Sequence, residues 1–243
     1  MASIDSGNVY LVAGASGGLT EGVALGLVSA GARVHVLGRD RGRLQAWVER
    51  IGEERVHVGD PAEPGHAARV VGEVLAAEGR LDGLVYGAGP YAALRLDETG
   101  PDVWQHLWRG NVMGALALVD AARASLRASD GSILLFGAAG LEGLRARSTC
   151  AAYTSIKTAL LSYMVSLARE EAEFGVRVNM ISPGIVPHDG AAEDTLDPER
   201  WQQIPMGRPG TIEDIQRAAL WLLSSEAAHV TGQNLEVAGG FLL

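Results

Sequence analysis

A tyrosine and a lysine lie four residues apart in a stretch that has the pattern of a helix. The stretch runs from Cys150 to Phe174, and the spacing places the phenol of Tyr153 and the ammonium of Lys157 on one helix face, one turn apart. A phenol alone titrates at about pH 10, and a nearby cation favours its ionised form. We therefore expect this pair to donate and accept a proton at neutral pH.

A glycine-rich turn separates the first predicted strand from the first predicted helix. The turn, Gly14 to Thr20, lets the backbone approach a pyrophosphate, which then meets amide N–H groups and the positive end of the helix. Its place in the first strand–helix–strand unit predicts a dinucleotide site. The residues expected to bind the dinucleotide here are Gly14, Ser16, Gly17, Gly18 and Leu19.

The end of the second predicted strand indicates which dinucleotide is bound. An acid there would hydrogen-bond the adenosine ribose and repel a 2′-phosphate. This chain has Gly38 at that place and Arg39 next, and a guanidinium suits phosphate. We therefore predict NADP(H) over NAD(H), although Arg39, Arg41 and Arg43 would also suit a solvated helix start. Asp60, after the third strand, could accept from the adenine amine or serve only as a turn residue.

Apolar strand-like runs alternate with helical patterns along the chain, and this alternation predicts the fold class. The strands lack internal apolar–polar alternation and each is followed by a helix, which indicates a parallel sheet covered on both faces. The right-handed crossover rule then predicts a doubly wound, Rossmann-type α/β domain of about seven strands. The predicted strands are Val9–Ala13, Val34–Leu37, Val56–Val58, Leu84–Tyr86, Ser132–Phe136, Val176–Ile181 and Asn234–Val237. The predicted helices are Thr20–Ala30, Arg41–Arg50, Gly65–Glu78, Asp102–Arg127, Cys150–Phe174 and Thr211–Ser224.

Length, charge and cysteine content bound the organisation of the molecule. The 243 residues contain no linker, repeat or low-complexity tract, so we expect one domain spanning residues 1–243. A net charge of −9 argues against nucleic acid or a membrane surface as a partner, and no segment has the length of a membrane span. The single cysteine, Cys150, excludes an internal disulfide, and the N-terminus has no signal pattern. Both features predict a cytoplasmic protein, and we expect no metal.

One long connection, residues 183–210, departs from the alternation. It carries five prolines with acidic residues between them, and it follows the carboxyl end of a strand, where ligands bind in such sheets. A connection of this length is usually functional. We predict a lid over the substrate; the alternative is a surface insertion with one helical turn near Pro198 to Gln202.

In order and spacing, these motifs resemble those of the short-chain dehydrogenase/reductase family, in its single-domain branch, over essentially the whole chain. The matching positions are Gly14, Gly18, Ala88, Gly89, Asn111, Tyr153, Lys157, Pro183, Gly184, and the C-terminal runs Ile204–Arg208, Thr231–Gln233 and Val237–Gly240. The resemblance implies hydride transfer from nicotinamide to a carbonyl carbon, and a homotetramer or dimer that pairs through the long helix and the Tyr153 helix.

The resemblance also assigns roles to individual residues. Tyr153 would protonate the carbonyl oxygen, and Lys157 would hydrogen-bond the nicotinamide ribose and lower the pKa of Tyr153. Asn111 would lie at a kink of the long helix and hold a water of the proton relay. Further residues implied to contact the cofactor are Ala88, Gly89, Pro183, Gly184 and Val186.

Several positions near the expected site depart from the family pattern. Thr20 replaces the third glycine of the turn, and Tyr86–Gly89 reads Tyr-Gly-Ala-Gly where the family has Asn-Asn-Ala-Gly, which removes a strand-bridging side chain. His188 replaces a threonine that touches the nicotinamide amide. Ala238 replaces the aspartate before the final Gly-Gly.

The departure with the largest consequence is the absence of the serine that would hold the substrate oxygen. Its place is taken by Ala138, or by Gly137 if the loop is aligned one residue differently. Losing one positioned oxyanion donor typically costs about a hundred- to a thousandfold in rate. Ser148, Thr149 or His188 could replace it, or an activated or tightly bound substrate could need only Tyr153, or the protein could have another activity.

The sequence defines the substrate pocket only loosely. Tyr91, Trp104, Trp108, Leu144 and Trp201 could supply an aromatic or apolar wall, which would suit a ring-bearing substrate. The two helix tryptophans, four residues apart, could equally pack on a neighbouring subunit or in the core. The predicted substrate-side residues are Ala138, Tyr91, Leu144 and His188.

We therefore expect an NADPH-dependent reductase of a ketone or activated enone of a small, cyclic molecule, with Tyr153 as proton donor and a tailoring role in secondary metabolism. Two alternatives stay open: a non-redox relative, such as a dehydratase or isomerase, and a nucleotide-binding protein with little catalysis. An enoyl reductase of the related branch fits poorly, because that branch places its tyrosine and lysine further apart.

Overall fold

The computed structural model describes residues 4–143, 145–188, 191 and 197–242, and parallel strands in these ranges form one seven-stranded sheet. The strands are β1 Val9–Ala13, β2 Arg33–Gly38, β3 Val56–Val58, β4 Gly83–Tyr86, β5 Ser132–Phe136, β6 Arg177–Pro183 and β7 Asn234–Val237. Their order is β3-β2-β1-β4-β5-β6-β7, so the winding reverses between β1 and β4. The predicted doubly wound fold is confirmed.

Helices cover both faces of the sheet. They are α1 Gly18–Ser29, α2 Gln45–Ile51, α3 His66–Glu78, α4 Pro101–Trp108, α5 Gly114–Ala128, α6 Ala151–Glu171, α7 Pro198–Trp201 and α8 Ile212–Leu223. One core packs α3, α5 and α6 on the sheet, and the other packs α1, α2 and α8 on the opposite face. Leu11 enters the first core and its neighbour Val12 the second, which explains why the strands show no alternation of apolar and polar residues.

Helix α6 turns its apolar face to the core. Leu160 and Met164 are fully buried and Leu167 is almost so, in the cluster shared with α5 and the sheet. Leu161 is only partly buried. This face therefore stabilises the domain itself.

The predicted long helix is interrupted in its first half. Helix α4 ends at Trp108, a π-helical turn follows over Arg109–Met113, and α5 begins at Gly114. Such turns widen a helix by one residue and often occur at functional sites. Asn111 lies in this turn, at the kink that the family resemblance implied.

The connection over residues 183–210 contains the helical turn that the sequence predicted. Asp197 caps it by accepting a hydrogen bond from the Glu199 N–H at 2.9 Å, and α7 follows. Ile204, after α7, packs with Ile185 and Phe241 in a small apolar cluster. Residues 189, 190 and 192–196 lie outside the described residues, so the lid stays a prediction. Within the ranges given above, no helix is both long and apolar enough to cross a membrane.

A chain of buried polar side chains links β2 and β3 to α3. His35 Nδ1 and His57 Nε2 lie 3.1 Å apart, and the two rings stack with their centroids 5.4 Å apart. The outer ring nitrogens meet carboxylates, His35 that of Glu78 at 3.3 Å and His57 that of Glu73 at 3.0 Å. Burial lowers the pKa of both histidines, so the folded protein favours their neutral forms.

We expect stability to fall as the pH drops below that of an unperturbed histidine. The folded pKa values lie below the unfolded value of about 6.5, so the unfolded chain takes up protons that the folded chain refuses. The stabilisation that the two neutral histidines give the folded state is complete above about pH 6.5 and is lost on acidification. The melting temperature should therefore fall from about pH 8 to about pH 5, and less steeply in His57→Gln. The exposed His229→Gln is the control, and an unchanged slope in His57→Gln would contradict the assignment.

Candidate active site

A cleft of about 670 Å³ opens at the carboxyl ends of the strands, where the strand order reverses. This volume is in the range of small-molecule and cofactor sites. The predicted site residues that line this one cavity are Gly14, Ser16, Gly17, Gly18, Leu19, Gly38, Arg39, Asp60, Ala88, Gly89, Tyr91, Asn111, Ala138, Tyr153, Lys157, Pro183, Gly184, Val186 and His188. Leu144 lies outside the described residues. The fold thus brings the nucleotide turn and the tyrosine–lysine pair to one place.

The glycine turn is packed closely against the loop after β4. Gly14 has a φ of 98°, and a Cβ there would stand 2.6 Å from the backbone nitrogen of Ala88. Only glycine permits both this conformation and this approach. The buried indole of Trp47 donates to the Ala15 carbonyl at 2.8 Å and holds the turn from its other side. Above the turn, the ring of His188 lies close to Gly18, whose Cβ would stand 2.9 Å from Cε1.

Two departures from the family pattern fit each other. Thr20 is buried, and its hydroxyl fills the space that a side chain at position 87 would need. A Cβ on Gly87 would collide with Thr20 Oγ1 and stand 3.0 Å from Thr20 Cγ2. The threonine is therefore accommodated because the second asparagine of the family motif is a glycine here.

Tyr86, at the first position of the changed motif, connects β4 to the π-helical turn. Its hydroxyl donates to the Gly110 carbonyl at 2.5 Å, which ties β4 to the π-helical turn. In the same turn Asn111 Nδ2 donates to the carbonyls of Leu107 at 2.9 Å and Pro90 at 3.0 Å. Asn111 Oδ1 is buried and accepts no hydrogen bond from the described residues. The Tyr86 bond joins β4 to a helical turn and not to another strand, so the expected loss of a strand-bridging side chain stays a prediction.

Tyr153 and Lys157 share a face of α6 and have opposite pKa shifts. Lys157 Nζ lies 5.6 Å from the Tyr153 ring centre and donates to the Phe136 carbonyl, at the end of β5, at 2.7 Å. Burial lowers the pKa of Lys157 to about 7. Burial, with smaller effects of Tyr91 and Cys150, raises the pKa of the half-buried Tyr153. Burial thus raises the pKa of Tyr153 in this structure, where the family resemblance implied that Lys157 lowers it.

A second tyrosine and a cysteine border the phenol of Tyr153. The Tyr91 ring meets the Tyr153 ring edge-on, with centroids 4.9 Å apart at 80°. Cys150 precedes α6 in a left-handed conformation, with its Sγ 3.7 Å from Thr154 Oγ1. Both residues line the cavity. The predicted pocket position of Tyr91 agrees with this placement.

The loop after β5 decides which residue occupies the place of the missing serine. A Cβ on Gly137 would collide with Ser182 Oγ and stand 2.6 Å from Met180 Sδ, so that position faces β6. Gly137 and Ala138 both line the cavity, and Ala138 is the one of the two that has a side chain. Ser148 and Thr149 are exposed and do not line it, whereas His188 does. Of the proposed substitutes for the serine, only His188 is therefore in place.

Some charged residues of the loop between β2 and α2 line the cavity, and others do not. Arg39 and Arg43 line the cavity, and Asp40 does not. The Asp40 carboxylate instead accepts from the N–H groups of Gly42 at 2.8 Å and Arg43 at 3.2 Å. Arg41 pairs with Glu53 at 2.6 Å on the exposed surface. All three arginines are exposed, and Arg43 also lies 3.9 Å from the Asp40 carboxylate, so the alternative of a solvated helix start stays open for Arg39 and Arg43.

Asp60 lies where it could accept from an adenine amine, and it also forms the hydrogen bond of a turn residue. It lines the cavity, while its carboxylate accepts from the Ala62 N–H at 2.9 Å and meets Arg109 at 3.2 Å. Position 38 is tight, since a Cβ there would stand 3.3 Å from Leu44 and 3.4 Å from Ser16. Residue 38 therefore has little room for an acidic side chain.

The apolar wall of the cavity differs from the predicted one. Trp104 and Trp108 lie with Ser155 and Ile156 in a separate apolar groove between α4 and α6. Trp201 packs with the small cluster around Ile204 instead of lining the cavity. The apolar residues on the substrate side are Pro90, Tyr91, Ile185, Phe241 and Leu242. The spacing of the two tryptophans could not show which side of α4 faces the cavity. Nothing in the sequence marked Phe241 and Leu242 as cavity residues except their place after the final Gly-Gly.

The chain is similar to known oxidoreductases over nearly its whole length. A model of the family described as Enoyl-(Acyl carrier protein) reductase matches residues 14–242. The 3-oxoacyl-(acyl-carrier-protein) reductase FabG of Escherichia coli is 30% identical over 98% of this chain and 98% of that protein. The "Inactive 2-(S)-hydroxypropyl-CoM dehydrogenase 2" of Xanthobacter autotrophicus is 35% identical over 90% of this chain and 98% of that protein.

Solved structures match over the same length. A short-chain type dehydrogenase/reductase from Mycobacterium ulcerans superposes with a TM-score of 0.90 at 30% identity, covering 98% of this chain and 91% of that chain. The RhlG/NADP active-site complex of Pseudomonas aeruginosa superposes with a TM-score of 0.89 at 27% identity, covering 98% and 97%. The similarity thus extends over nearly the whole chain.

The fit between Thr20 and Gly87 predicts a non-additive pair of substitutions. Gly87→Asn alone should lower the free energy of unfolding by about 1–3 kcal/mol, because the added side chain overpacks against Thr20. Thr20→Gly in the same chain should restore part of that loss. Denaturant unfolding measures each variant, with Gly72→Asn on the open surface of α3 as the control. Additive effects of the two substitutions would contradict the contact.

Proposed function

The chain belongs to the short-chain dehydrogenase/reductase family, a family of oxidoreductases, and we propose that it is an NADPH-dependent reductase of a ketone or activated enone of a small, cyclic molecule. The observation that carries the proposal is the common cavity of Asn111, Tyr153, Lys157 and the glycine turn. The family model bears an enoyl reductase description, but the spacing of four between Tyr153 and Lys157 favours the carbonyl-reducing branch.

The residues of the cleft fit a nicotinamide dinucleotide. Gly14 and Gly18 keep the turn free of side chains, and Asn111 Oδ1 is a buried acceptor without a partner. Bound NADPH would supply the hydride. The turn would hold its pyrophosphate, and Lys157 would hydrogen-bond its nicotinamide ribose.

NADP(H) is proposed over NAD(H) on the charges at the adenosine end. Arg39 and Arg43 line the cavity, Gly38 offers no carboxylate there, and the Asp40 carboxylate accepts from the backbone and lies 3.9 Å from Arg43. A guanidinium pair suits a 2′-phosphate, which carries more negative charge than a ribose hydroxyl. The Pseudomonas aeruginosa structure with which the chain superposes is described as an NADP complex.

Proton transfer is proposed to begin at the Tyr153 hydroxyl. Its raised pKa keeps the phenol protonated at neutral pH, the form that can donate to a carbonyl oxygen as negative charge develops there. Lys157, with a pKa of about 7, can both give and accept a proton at that pH. A water held by Asn111 Oδ1 would connect Lys157 to solvent, and it would satisfy the unpaired oxygen.

One observation supports a second candidate, a nucleotide-binding protein with little or no turnover. Ala138 lines the cavity where the family has the serine that holds the substrate oxygen. One relative, from Xanthobacter autotrophicus, is itself described as inactive. A dehydratase or isomerase that uses Tyr153 as acid and base is a third possibility.

We further propose a homotetramer or homodimer, in the cytoplasm, with a role in secondary metabolism. Trp108, Met113 and Val165 on the α4–α6 side are 43%, 44% and 49% exposed, and the groove beside Trp104 is apolar. Large apolar side chains exposed together often mark a subunit interface. Light scattering on the purified protein would test the assembly.

The cofactor proposal predicts a selective loss of NADPH binding. Arg39→Ala and Arg43→Ala should each weaken NADPH binding by about 10- to 100-fold, as expected for the loss of a charge-assisted hydrogen bond, and leave NADH binding nearly unchanged. Fluorescence titration with both nucleotides measures this. Arg41→Ala, in an ion pair outside the cavity, is the control. Equal losses for NADPH and NADH would exclude a 2′-phosphate site.

The reductase proposal predicts opposite effects of two substitutions. Tyr153→Phe should slow NADPH oxidation by about a hundredfold or more, whereas Ala138→Ser should raise kcat, by up to about a hundredfold if the lost oxyanion donor limits the rate. NADPH absorbance is followed with cyclic ketones, diketones, quinones and enones, and Tyr163→Phe on the same helix is the control.

The same assay separates the alternatives. Tight NADPH binding without oxidation would favour the nucleotide-binding protein, and product formation without net loss of NADPH would favour the non-redox enzyme. If Tyr153→Phe turned over as fast as the parent, the proposed proton donor would be wrong.

A further inference from the structure

A fixed arginine lies beside the loop that lacks the serine. Arg147 lines the cavity, and its Nη2 donates to the carbonyls of Ala139 at 3.3 Å and Gly140 at 2.9 Å. Gly140 has a φ of 71°, and a Cβ there would stand 2.7 Å from Arg147 Nη2. The backbone at the end of β5 thus both makes room for the guanidinium and holds it in place.

Arg147 carries a charge that the described part of the chain does not balance. Arg33 and Arg127 each bind a carboxylate, at 2.6 and 2.7 Å, but no carboxylate among the described residues pairs with Arg147. The carboxylate near its loop, that of Glu236, accepts from the Gly140 N–H at 2.7 Å instead. Among the described residues Arg147 Nε has no acceptor, and it is buried out of reach of solvent. A guanidinium stays charged at any physiological pH, so an anionic ligand beside it in the cavity would balance its charge.

The cavity around Arg147 is poor in acids. Among the described residues that line it, Asp60 is the one carboxylate, and Asp60 lies at the adenosine end against Arg109. In a protein of net charge −9, the charge of Arg147, in a part of the cavity wall that has no acid among the described residues, favours an anionic ligand.

We propose that Arg147 binds a carboxylate of the substrate, so that the substrate class is a cyclic oxo acid. One guanidinium with part of its hydrogen-bonding capacity used by the backbone matches a monoanion better than a phosphate dianion. Tyr91, Phe241 and Leu242 give the carbocyclic body an apolar wall. This assignment rests on the proposed reductase function. The bond to Arg147 would also compensate for the missing serine. Energy from binding a remote group can orient the substrate carbonyl toward Tyr153.

The test compares acids with their uncharged esters. The probes are 3-oxocyclohexane-1-carboxylate, 4-oxocyclohexane-1-carboxylate and the methyl ester of each. Calorimetry measures their binding to the protein–NADPH complex, and NADPH absorbance measures turnover as separate kcat and KM values. The variants are Arg147→Met, which keeps an apolar chain, and Arg147→Lys, which keeps the charge. Arg145→Met is the matched control, since Arg145 is exposed on the same loop and does not line the cavity.

The parent protein should bind at least one acid about tenfold more tightly than its ester. Arg147→Met should weaken acid binding by about 10- to 100-fold and leave ester binding unchanged, Arg147→Lys should retain part of the preference, and Arg145→Met should retain all of it. The proposal is overturned if neither acid is preferred, if Arg147→Met keeps the preference, or if Arg145→Met loses as much. The comparison within the parent protein stands even if a variant misfolds.

The two readouts separate this proposal from the reductase function. Acid-selective binding that depends on Arg147, without NADPH oxidation, would support the carboxylate site and overturn the reductase. Oxidation of NADPH with equal efficiency for acids and esters would support the reductase and overturn the carboxylate site.

Discussion

The burial of the Lys157 ammonium is the constraint on which the arrangement of the site depends. Only 4% of the residue is exposed, and its hydrogen bond to the Phe136 carbonyl fixes α6 against the end of β5. Because Tyr153 lies one turn earlier on the same face, that bond also sets where the phenol meets the cavity. The same desolvation brings the pKa of Lys157 to about 7 and raises that of Tyr153. Geometry and proton affinity at the site therefore have one common cause.

Two of the departures from the family pattern change which side chains pack together, and they leave the arrangement of the strands and helices around the site unchanged. Thr20 occupies the volume that Gly87 vacates, and Tyr86 reaches the π-helical turn with its hydroxyl. Each of these positions breaks the family motif when it is taken alone. Taken with its contact, each preserves the close approach of β1, β4 and the long helix that brings Asn111 to the cavity. Replacing the serine by Ala138 is different, because no described hydroxyl of the Ser148–Thr149 pair moves into the vacated place.

The sequence predicted the strands and the strand–helix alternation well, because these depend on local patterns, and most of the predicted site residues line one cavity. Apolar runs mark buried strands, and glycines mark turns with positive φ. What failed or was missed depends on contacts between distant segments. The helical spacing of Trp104 and Trp108 gives them a shared face but cannot show that this face lies away from the cavity. Arg147 is one of two arginines on an irregular loop, and only the carbonyls at the end of β5 distinguish it from Arg145.

The free energy lost with the missing serine hydroxyl can be compared with the free energy that the Arg147 guanidinium would supply. A lost oxyanion donor removes about 3–4 kcal/mol of transition-state stabilisation, and a charge-assisted hydrogen bond to a substrate carboxylate supplies about 1.5–3 kcal/mol. The second amount can offset most of the first only if it is expressed in the transition state, because uniform binding lowers KM without raising kcat. A rigid anchor meets this condition better than a mobile one, since it restricts the carbonyl to orientations that face Tyr153. The two backbone carbonyls that hold Arg147 are thus the feature that would turn binding energy at the rim of the cavity into rate at its centre.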